Sequence, residues 1–142
     1  MQYWFYITNI GLKKFIAVIK NWENRIVLIA EDEQINFLFL KAVLKPTKAQ
    51  IVWTKTGRET INYCISNNVD IILMDIKMPD LNGLEATIEI KKTNPNIPII
   101  AQTAYVMEED EEASIKAGCD DYISKPIRPD NLLTIMSKFL DN

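Results

Sequence analysis

The chain has 142 residues, of which 48% are hydrophobic and 25% charged, a composition typical of one globular domain. The formal net charge is −3 and the pI about 5.0, which argues against a general nucleic-acid binder, since such proteins are basic. The sequence contains no histidine, which excludes a histidine-activated nucleophile, a histidine metal site and a phosphohistidine on this chain. Cys64 and Cys119 share no metal or redox spacing, so we expect both to be buried and reduced in a cytoplasmic protein.

Residues 1–24 differ in pattern from the rest of the chain. Five apolar residues at helical spacing predict an amphipathic helix: Leu12, Phe15, Ile16, Ile19 and Trp22. Polar residues interrupt the run before it reaches the roughly 20 apolar residues of a membrane span, and its basic residues are misplaced for a signal peptide. We therefore predict no membrane span. Two interpretations of residues 1–24 remain open: an N-terminal extension, or the linker remnant of a larger protein such as a hybrid kinase.

From residue 25 onwards, short apolar runs alternate with helical patterns. The apolar runs predict buried strands at 26–30, 51–53, 70–75, 97–102 and 122–124. The helical patterns lie at 35–44, around 61–65, and at 84–92, 107–117 and 132–140. Ile61, Cys64 and Ile65 are predicted to share one face of the second helix, and Gly118 is placed to end the fourth in a left-handed conformation. Five strands and five helices in alternation predict a flavodoxin-like, doubly wound α/β domain with a five-stranded parallel sheet of order 2-1-3-4-5.

Polar residues follow the predicted strands at the edge where ligands bind in such a sheet. Glu31 and Asp32 follow the first strand, Asp75 ends the third, Thr103 follows the fourth and Lys125 follows the fifth. The first and third strands are neighbours in this order, so their acids converge. Clustered carboxylates suit a hard divalent cation such as Mg²⁺, while an ammonium and a hydroxyl suit phosphoryl oxygens. The set predicts Mg²⁺-dependent phosphoryl transfer onto Asp75 through an acyl phosphate.

Four pieces of sequence at these positions resemble the receiver domain of two-component response regulators, especially the receivers of hybrid histidine kinases. The pieces are Ile29–Glu33 with Asn36, Met74–Pro79 with Gly83, Gln102–Ala104, and Asp121–Pro126. The resemblance implies a receiver domain over residues 25–142, which is a signalling domain rather than an enzyme. Such a domain accepts a phosphoryl group from a sensor histidine kinase or a histidine phosphotransfer protein. It then changes its surface for a downstream partner, which the sequence does not identify.

The resemblance also assigns roles around the acid cluster. It makes Asp75 the phospho-acceptor and Asp32 a direct Mg²⁺ ligand, with the main-chain carbonyl of Lys77 completing the protein ligands. Glu31 would act on the metal through water. Many receivers have Asp at the position of Glu31, and the longer side chain should alter this water-mediated contact more than the chemistry.

Further roles follow from the same resemblance. Thr103 and Lys125 would contact the phosphoryl group, and Tyr122 would act with Thr103 as the switch, its ring changing rotamer on activation. The family commonly has a cis peptide bond at the position of Lys125–Pro126, and X-Pro bonds adopt this form at low cost. The last helices are a candidate homodimer surface.

The first predicted helix carries more apolar surface than one stripe facing the sheet requires. Its apolar residues are Ile35, Phe37, Leu38, Phe39, Leu40, Val43 and Leu44. We expect some of them to remain exposed and to contact a partner, as the first helix does in the family.

Two other functions stay open at this point. A hydrolase of the haloacid-dehalogenase type also uses a strand-end aspartate and Mg²⁺, but it places a second aspartate where this chain has Lys77. An interaction module that no longer turns over phosphate would retain the same residues, so only an assay separates it from a receiver.

Overall fold

The computed structural model describes residues 20–104 and 108–141. Most of the predicted N-terminal helix lies outside the described residues, and its last apolar residue, Trp22, lies in a segment that is not helical. The described strands are β1 (Ile26–Ala30), β2 (Gln50–Thr54), β3 (Ile71–Asp75), β4 (Ile99–Thr103) and β5 (Asp121–Ser124). They form one parallel sheet in the order β2-β1-β3-β4-β5. The predicted flavodoxin-like order is confirmed.

Helices follow the strands in the predicted alternation. They are α1 (Gln34–Leu44), α2 (Gly57–Ser66), α3 (Gly83–Thr93), α4 (Glu108–Ala117) and α5 (Pro129–Leu140), with a 3-10 turn at Lys45–Thr47. Among the residues that the structure describes, no helix is both long enough and apolar enough to span a bilayer.

The helices cover both faces of the sheet, because side chains of successive strand residues point to opposite faces. In β1, Val27 and Ile29 belong to a core cluster with α1 and α5, while Leu28 and Ala30 belong to a second cluster with α2 and α3. Every residue of β3 is buried. The central strand is therefore enclosed on both faces.

Gly118 ends α4 as predicted, with φ at 104°. Its main-chain N–H donates to Ile115 O (3.0 Å), and the N–H of Cys119 donates to Ser114 O (3.0 Å). These two bonds form a Schellman motif, which satisfies the last carbonyls of the helix. The turn directs the chain at once into β5.

Strand and helix ends differ from the predicted ones by a few residues at several places, and two differences have a clear physical reason. The fourth strand begins at Ile99 rather than Ile97, because Pro98 has no N–H to give to a strand ladder. Ile65, predicted to share the buried face of α2 with Cys64, is 66% exposed. The buried face of α2 instead runs through Gly57, Thr60 and Cys64, and Ile65 lies one position further around the helix.

Hydrogen bonds and an ion pair join the segment before β1 to the end of α5. Trp22 is 2% exposed within the core cluster, and its Nε1 donates to Asp141 Oδ1 (2.8 Å). Its main-chain N–H donates to Thr47 O (2.7 Å), and Lys20 Nζ lies 2.8 Å from Asp141 Oδ2. Hydrogen bonds from Lys20 and Trp22 lower the pKa of Asp141. Residues 20–24 thus pack on the domain, whereas the interpretation of residues 1–24 as an extension or a linker remnant stays a prediction.

We expect Trp22→Ala to lower the free energy of unfolding by about 3–5 kcal/mol, since it empties a buried aromatic site. Urea unfolding followed by circular dichroism measures this loss. Asn21→Ala, at the exposed neighbouring position, serves as the control and should change stability by less than about 0.5 kcal/mol. Equal unfolding midpoints for the two variants would contradict a structural role for Trp22.

Candidate functional site

Three carboxylates meet at the carboxyl edge of the sheet. Carboxylate oxygens of Glu31, Asp32 and Asp75 all lie within 4.8 Å of one another. Glu31 is 0% and Asp75 4% exposed, whereas Asp32 is exposed. The pairing of β1 with β3 causes this meeting, because Ala30 lies opposite Met74 and the acids are the next residues along each strand. The structure therefore brings together the three predicted acidic side chains.

Lys125 joins this cluster from β5. Its Nζ lies 3.4 Å from Glu31 Oε2 and 3.4 Å from Asp75 Oδ2. Its main-chain N–H donates to Thr103 O (2.7 Å), which ties the end of β5 to the end of β4. The Lys125–Pro126 peptide bond is cis, as the family resemblance implies. One ammonium thus faces two buried carboxylates.

Burial has a marked effect on Glu31. Desolvation raises the pKa of this carboxyl group to about 7, and the negative charge of Asp75 also raises it. The main-chain N–H of Glu33, which donates to Glu31 Oε1 (3.1 Å), and the Lys125 ammonium act in the opposite direction. The site therefore favours an additional positive charge.

The donor set of this cluster fits Mg²⁺. The ion prefers oxygen ligands and binds through one or two carboxylates while keeping several waters. Asp32 gives the cluster an exposed side, and Glu31 and Asp75 give it a buried one. A divalent cation there would relieve the carboxylate repulsion that the Lys125 ammonium only partly offsets.

The loop after β3 folds back over Asp75. The Lys77 N–H donates to Asp75 Oδ1 (3.2 Å), which places the main chain of Lys77 beside the Asp75 carboxylate. The N–H of Gly83 donates to Ile76 O (2.9 Å), and a Cβ on Gly83 would clash with the Asp75 carbonyl oxygen. Only glycine allows this approach, so Gly83 fixes the loop that presents Asp75.

The two predicted switch residues lie on neighbouring strands. Thr103 is buried at the end of β4, beside the acid cluster. Tyr122 lies opposite Ala101 in the register of β4 and β5, and it is half-buried against the core face that includes α2 and α3. The Glu111 carboxyl group of α4, acting on the Tyr122 hydroxyl, raises the pKa of the Tyr122 phenol. Tyr122 is thus linked to α4 rather than to the acids.

Sequence reasoning missed the support that Trp53 gives to the acid cluster. The indole Nε1 donates to the main-chain carbonyl of Glu31 (2.7 Å). Its ring stacks on Phe37 with centroids 4.1 Å apart, and Lys55 Nζ lies 4.6 Å from the ring centroid. The predicted pairing of β1 with β2 puts Trp53 opposite Ile29, close to Glu31. This pairing was the feature of the sequence prediction from which the contact could have been inferred.

Comparisons with known proteins agree with this geometry. The model of the family described as "Response regulator receiver domain" matches residues 27–137. The chain is 41% identical over 120 residues to hybrid signal transduction histidine kinase I of Dictyostelium discoideum, covering 78% of this chain but only 7% of that kinase. It is 34% identical over 116 residues to the polar-differentiation response regulator DivK of Brucella ovis, covering 80% of this chain and 94% of DivK.

Solved structures of receiver domains are also similar to this chain. The receiver domain of sensor histidine kinase PA1611 from Pseudomonas aeruginosa, with a magnesium ion in its active site cleft, matches with a TM-score of 0.78 at 29% identity. That match covers 83% of this chain and 98% of the other. The co-crystal structure of Saccharomyces cerevisiae Ypd1, a histidine phosphotransfer protein, with the Ssk1 receiver domain matches with a TM-score of 0.77 at 28% identity. That match covers 82% of this chain and 89% of the other.

The fold and these relatives define a two-component signalling domain, a class distinct from classical enzymes. The chain belongs to the response regulator receiver domain family. This membership favours the receiver interpretation over the hydrolase alternative.

We expect Asp32→Asn to weaken Mg²⁺ binding by at least about tenfold, or about 1.4 kcal/mol, because it replaces a charged oxygen ligand by a neutral amide. Calorimetric titration with MgCl₂ gives the affinity directly. Glu33→Gln is the matched control, since Glu33 is exposed and accepts a hydrogen bond from Asn36 outside the cluster. Equal losses of affinity in both variants would indicate a general charge effect and would count against Asp32 as a ligand.

Proposed function

We propose that this domain accepts a phosphoryl group onto Asp75 from a phosphohistidine of another protein, in a Mg²⁺-dependent reaction. One observation carries the proposal: the Asp75 carboxylate lies within 4.8 Å of Glu31 and Asp32 and 3.4 Å from the Lys125 ammonium. A carboxylate nucleophile, a metal-binding acid cluster and a cation are the parts that phosphoryl transfer requires. The donor comes from another protein segment, because this sequence has no histidine.

In the transfer itself, an oxygen of Asp75 forms a bond to phosphorus while the bond from phosphorus to the donor imidazole nitrogen breaks. The electron pair of that bond leaves with the imidazole. Asp32, Asp75 and the main-chain carbonyl of Lys77 would hold the metal, with Glu31 acting through water. When bound, Mg²⁺ neutralises charge on the phosphoryl oxygens.

The remaining site residues would respond to the phosphorylated Asp75. Lys125, which now faces both Glu31 and Asp75, would turn to one phosphoryl oxygen, and the Thr103 hydroxyl would donate to another. Movement of Thr103 would free space for the Tyr122 ring, which is linked to Glu111 of α4. The change would thus reach the α4–β5–α5 surface and alter partner binding there. The acyl phosphate would then be lost at most by slow self-dephosphorylation.

The donor protein would be a sensor histidine kinase or a histidine phosphotransfer protein, and it would dock on α1. Ile35 is 80%, Leu38 49% and Phe39 38% exposed, so the expectation that part of α1 stays uncovered is confirmed. These residues lie on the helix that directly follows Glu31, Asp32 and Glu33. The relative in the Ypd1–Ssk1 co-crystal is itself bound to such a phosphotransfer protein, which supports this choice of partner.

Two wider features belong to the same proposal. Ile115 on α4 is largely exposed, which supports the last helices as a homodimer surface. Cys64 and Cys119 are both free and buried, as befits the cytoplasmic location that we propose. Burial raises the pKa of the Cys64 thiol to about 11 and also raises that of Cys119, so neither thiol is poised for redox chemistry.

We expect the wild-type domain to gain one phosphate from acetyl phosphate, only when Mg²⁺ is present, and Asp75→Asn to gain none. Intact-mass spectrometry detects the adduct, and hydroxylamine should remove it as it removes other acyl phosphates. Asp80→Asn is the matched control in the following loop, because Asp80 is exposed and asparagine tolerates its positive φ of 68°. Wild-type phosphate incorporation in Asp75→Asn would refute the acceptor assignment. Failure of the wild-type protein both to bind Mg²⁺ and to gain phosphate would favour an interaction module.

We expect the double substitution Ile35→Ser, Leu38→Ser to slow transfer from a phosphorylated histidine phosphotransfer protein, with Ypd1 as the probe, by about tenfold or more. Both changes remove apolar contact area from the proposed docking face. Ile65→Ser is the matched control, since Ile65 is exposed on α2. Single-turnover transfer assays give the rates, and equal rates for the three proteins would refute docking on α1.

A further inference from the structure

A small cavity lies next to the acid cluster, between α1 and the turn after β5. Its volume is about 290 Å³, and its walls are largely apolar. The lining residues are Ile35, Asn36, Phe39, Leu40, Gln102, Lys125, Pro126 and Ile127. Lys125 belongs to both this cavity and the acid site, since its Nζ is 3.4 Å from Asp75. The cavity therefore lies under any partner that covers α1 in order to reach Asp75.

The floor of the cavity holds an unusual polar group. Gln102 is 1% exposed, and neither its Nε2 nor its Oε1 has a hydrogen-bond partner in the protein. A buried carboxamide without partners costs about 1–3 kcal/mol, so a glutamine here is poorly explained by packing alone. Residue 102 shares its parity on β4 with Ile100, which lies in the core cluster of α1 and α5. An apolar side chain could fill this position without the free-energy cost of unpaired polar atoms.

We propose that this cavity is a recognition pocket for one carboxamide side chain, a glutamine or asparagine, of the phosphodonor protein. The inference rests on the proposed function, because that function brings the partner to α1. A primary amide both donates and accepts, so a single such group can pair with Gln102 Nε2 and Oε1 together. The apolar walls formed by Phe39, Leu40 and Ile127 suit its aliphatic stem.

Size and charge favour this occupant over others. Pockets for drug-sized ligands and cofactors span about 300–1,000 Å³, and this cavity of about 290 Å³ lies at the lower limit. A carboxylate would find Lys125 but would leave Gln102 Oε1 unpaired and would meet the negative charges of Glu31 and Asp75. An aliphatic side chain would leave both amide atoms of Gln102 unpaired. The amide atoms are shielded from solvent, so pairing with them requires a side chain that lines the cavity to move.

Isovaleramide is a suitable probe, because it carries a branched aliphatic stem and a primary amide. The matched compound is 4-methyl-2-pentanone, which has the same shape but no N–H group. Nuclear magnetic resonance follows the side-chain amide signal of Gln102, which is assigned by its disappearance in Gln102→Leu. We expect the amide to shift this signal saturably, with a dissociation constant of about a millimolar. The ketone should bind at least about tenfold more weakly, and Gln102→Leu should lose the preference.

Thermal unfolding supplies the second measurement. Gln102→Leu should melt at the wild-type temperature or above, since it removes a buried group without partners. Gln50→Leu, at an exposed position of β2, is the control for a general effect of added leucine. Equal binding of both compounds, no saturable shift, or a fall of several degrees in the melting temperature of Gln102→Leu would each overturn the pocket. None of these outcomes depends on phosphorylation of Asp75, so they are separable from failure of the proposed function.

Discussion

The crowding of buried negative charge at one sheet edge is the constraint on which this site depends. Glu31 is fully enclosed and Asp75 almost so, and burial lifts the pKa of Glu31 to about 7. Water cannot screen these groups, so their charge must be balanced by nearby cations. Lys125 supplies one positive charge at 3.4 Å from each of the two. A cation that entered this cluster would therefore stabilise the folded domain, and the fold itself supplies the oxygen ligands that could hold one.

Neutral main-chain donors keep the acids in place without cancelling their charge. The N–H of Glu33 holds the Glu31 carboxylate, and the N–H of Lys77 holds that of Asp75. Both donors belong to the loops that leave β1 and β3, so the sheet order fixes the carboxylates and their supports together. Gly83 and the Trp53 indole pack the same two loops from outside. Beside these main-chain supports, Lys125 contributes a long side chain whose ammonium faces the acids at 3.4 Å.

Regular sequence patterns made the fold predictable, whereas individual contacts between distant residues could not be predicted. Alternating apolar runs leave few topologies, so the strand order and the meeting of Glu31, Asp32 and Asp75 at one edge could be inferred from the sequence. The burial of Trp22 against Asp141 could not, because it joins residues 119 positions apart. The lack of hydrogen-bond partners for the Gln102 amide could not be predicted either, since the sequence of a strand does not show which polar groups surround one of its residues. Such features depend on register and rotamers.

Lys125 connects the two halves of the proposed mechanism, because it lines the α1 cavity and also faces Asp75. Phosphorylation would add negative charge at Asp75 and draw the ammonium further toward the acid site. The cavity wall would then change as a direct result of the transfer. A partner that binds the cavity wall as it is before phosphorylation would lose affinity once its phosphoryl group has moved to Asp75. By linkage, binding of that partner would disfavour the Lys125 position of the phosphorylated state. One flexible side chain can thus couple acceptance of the phosphoryl group to release of the donor.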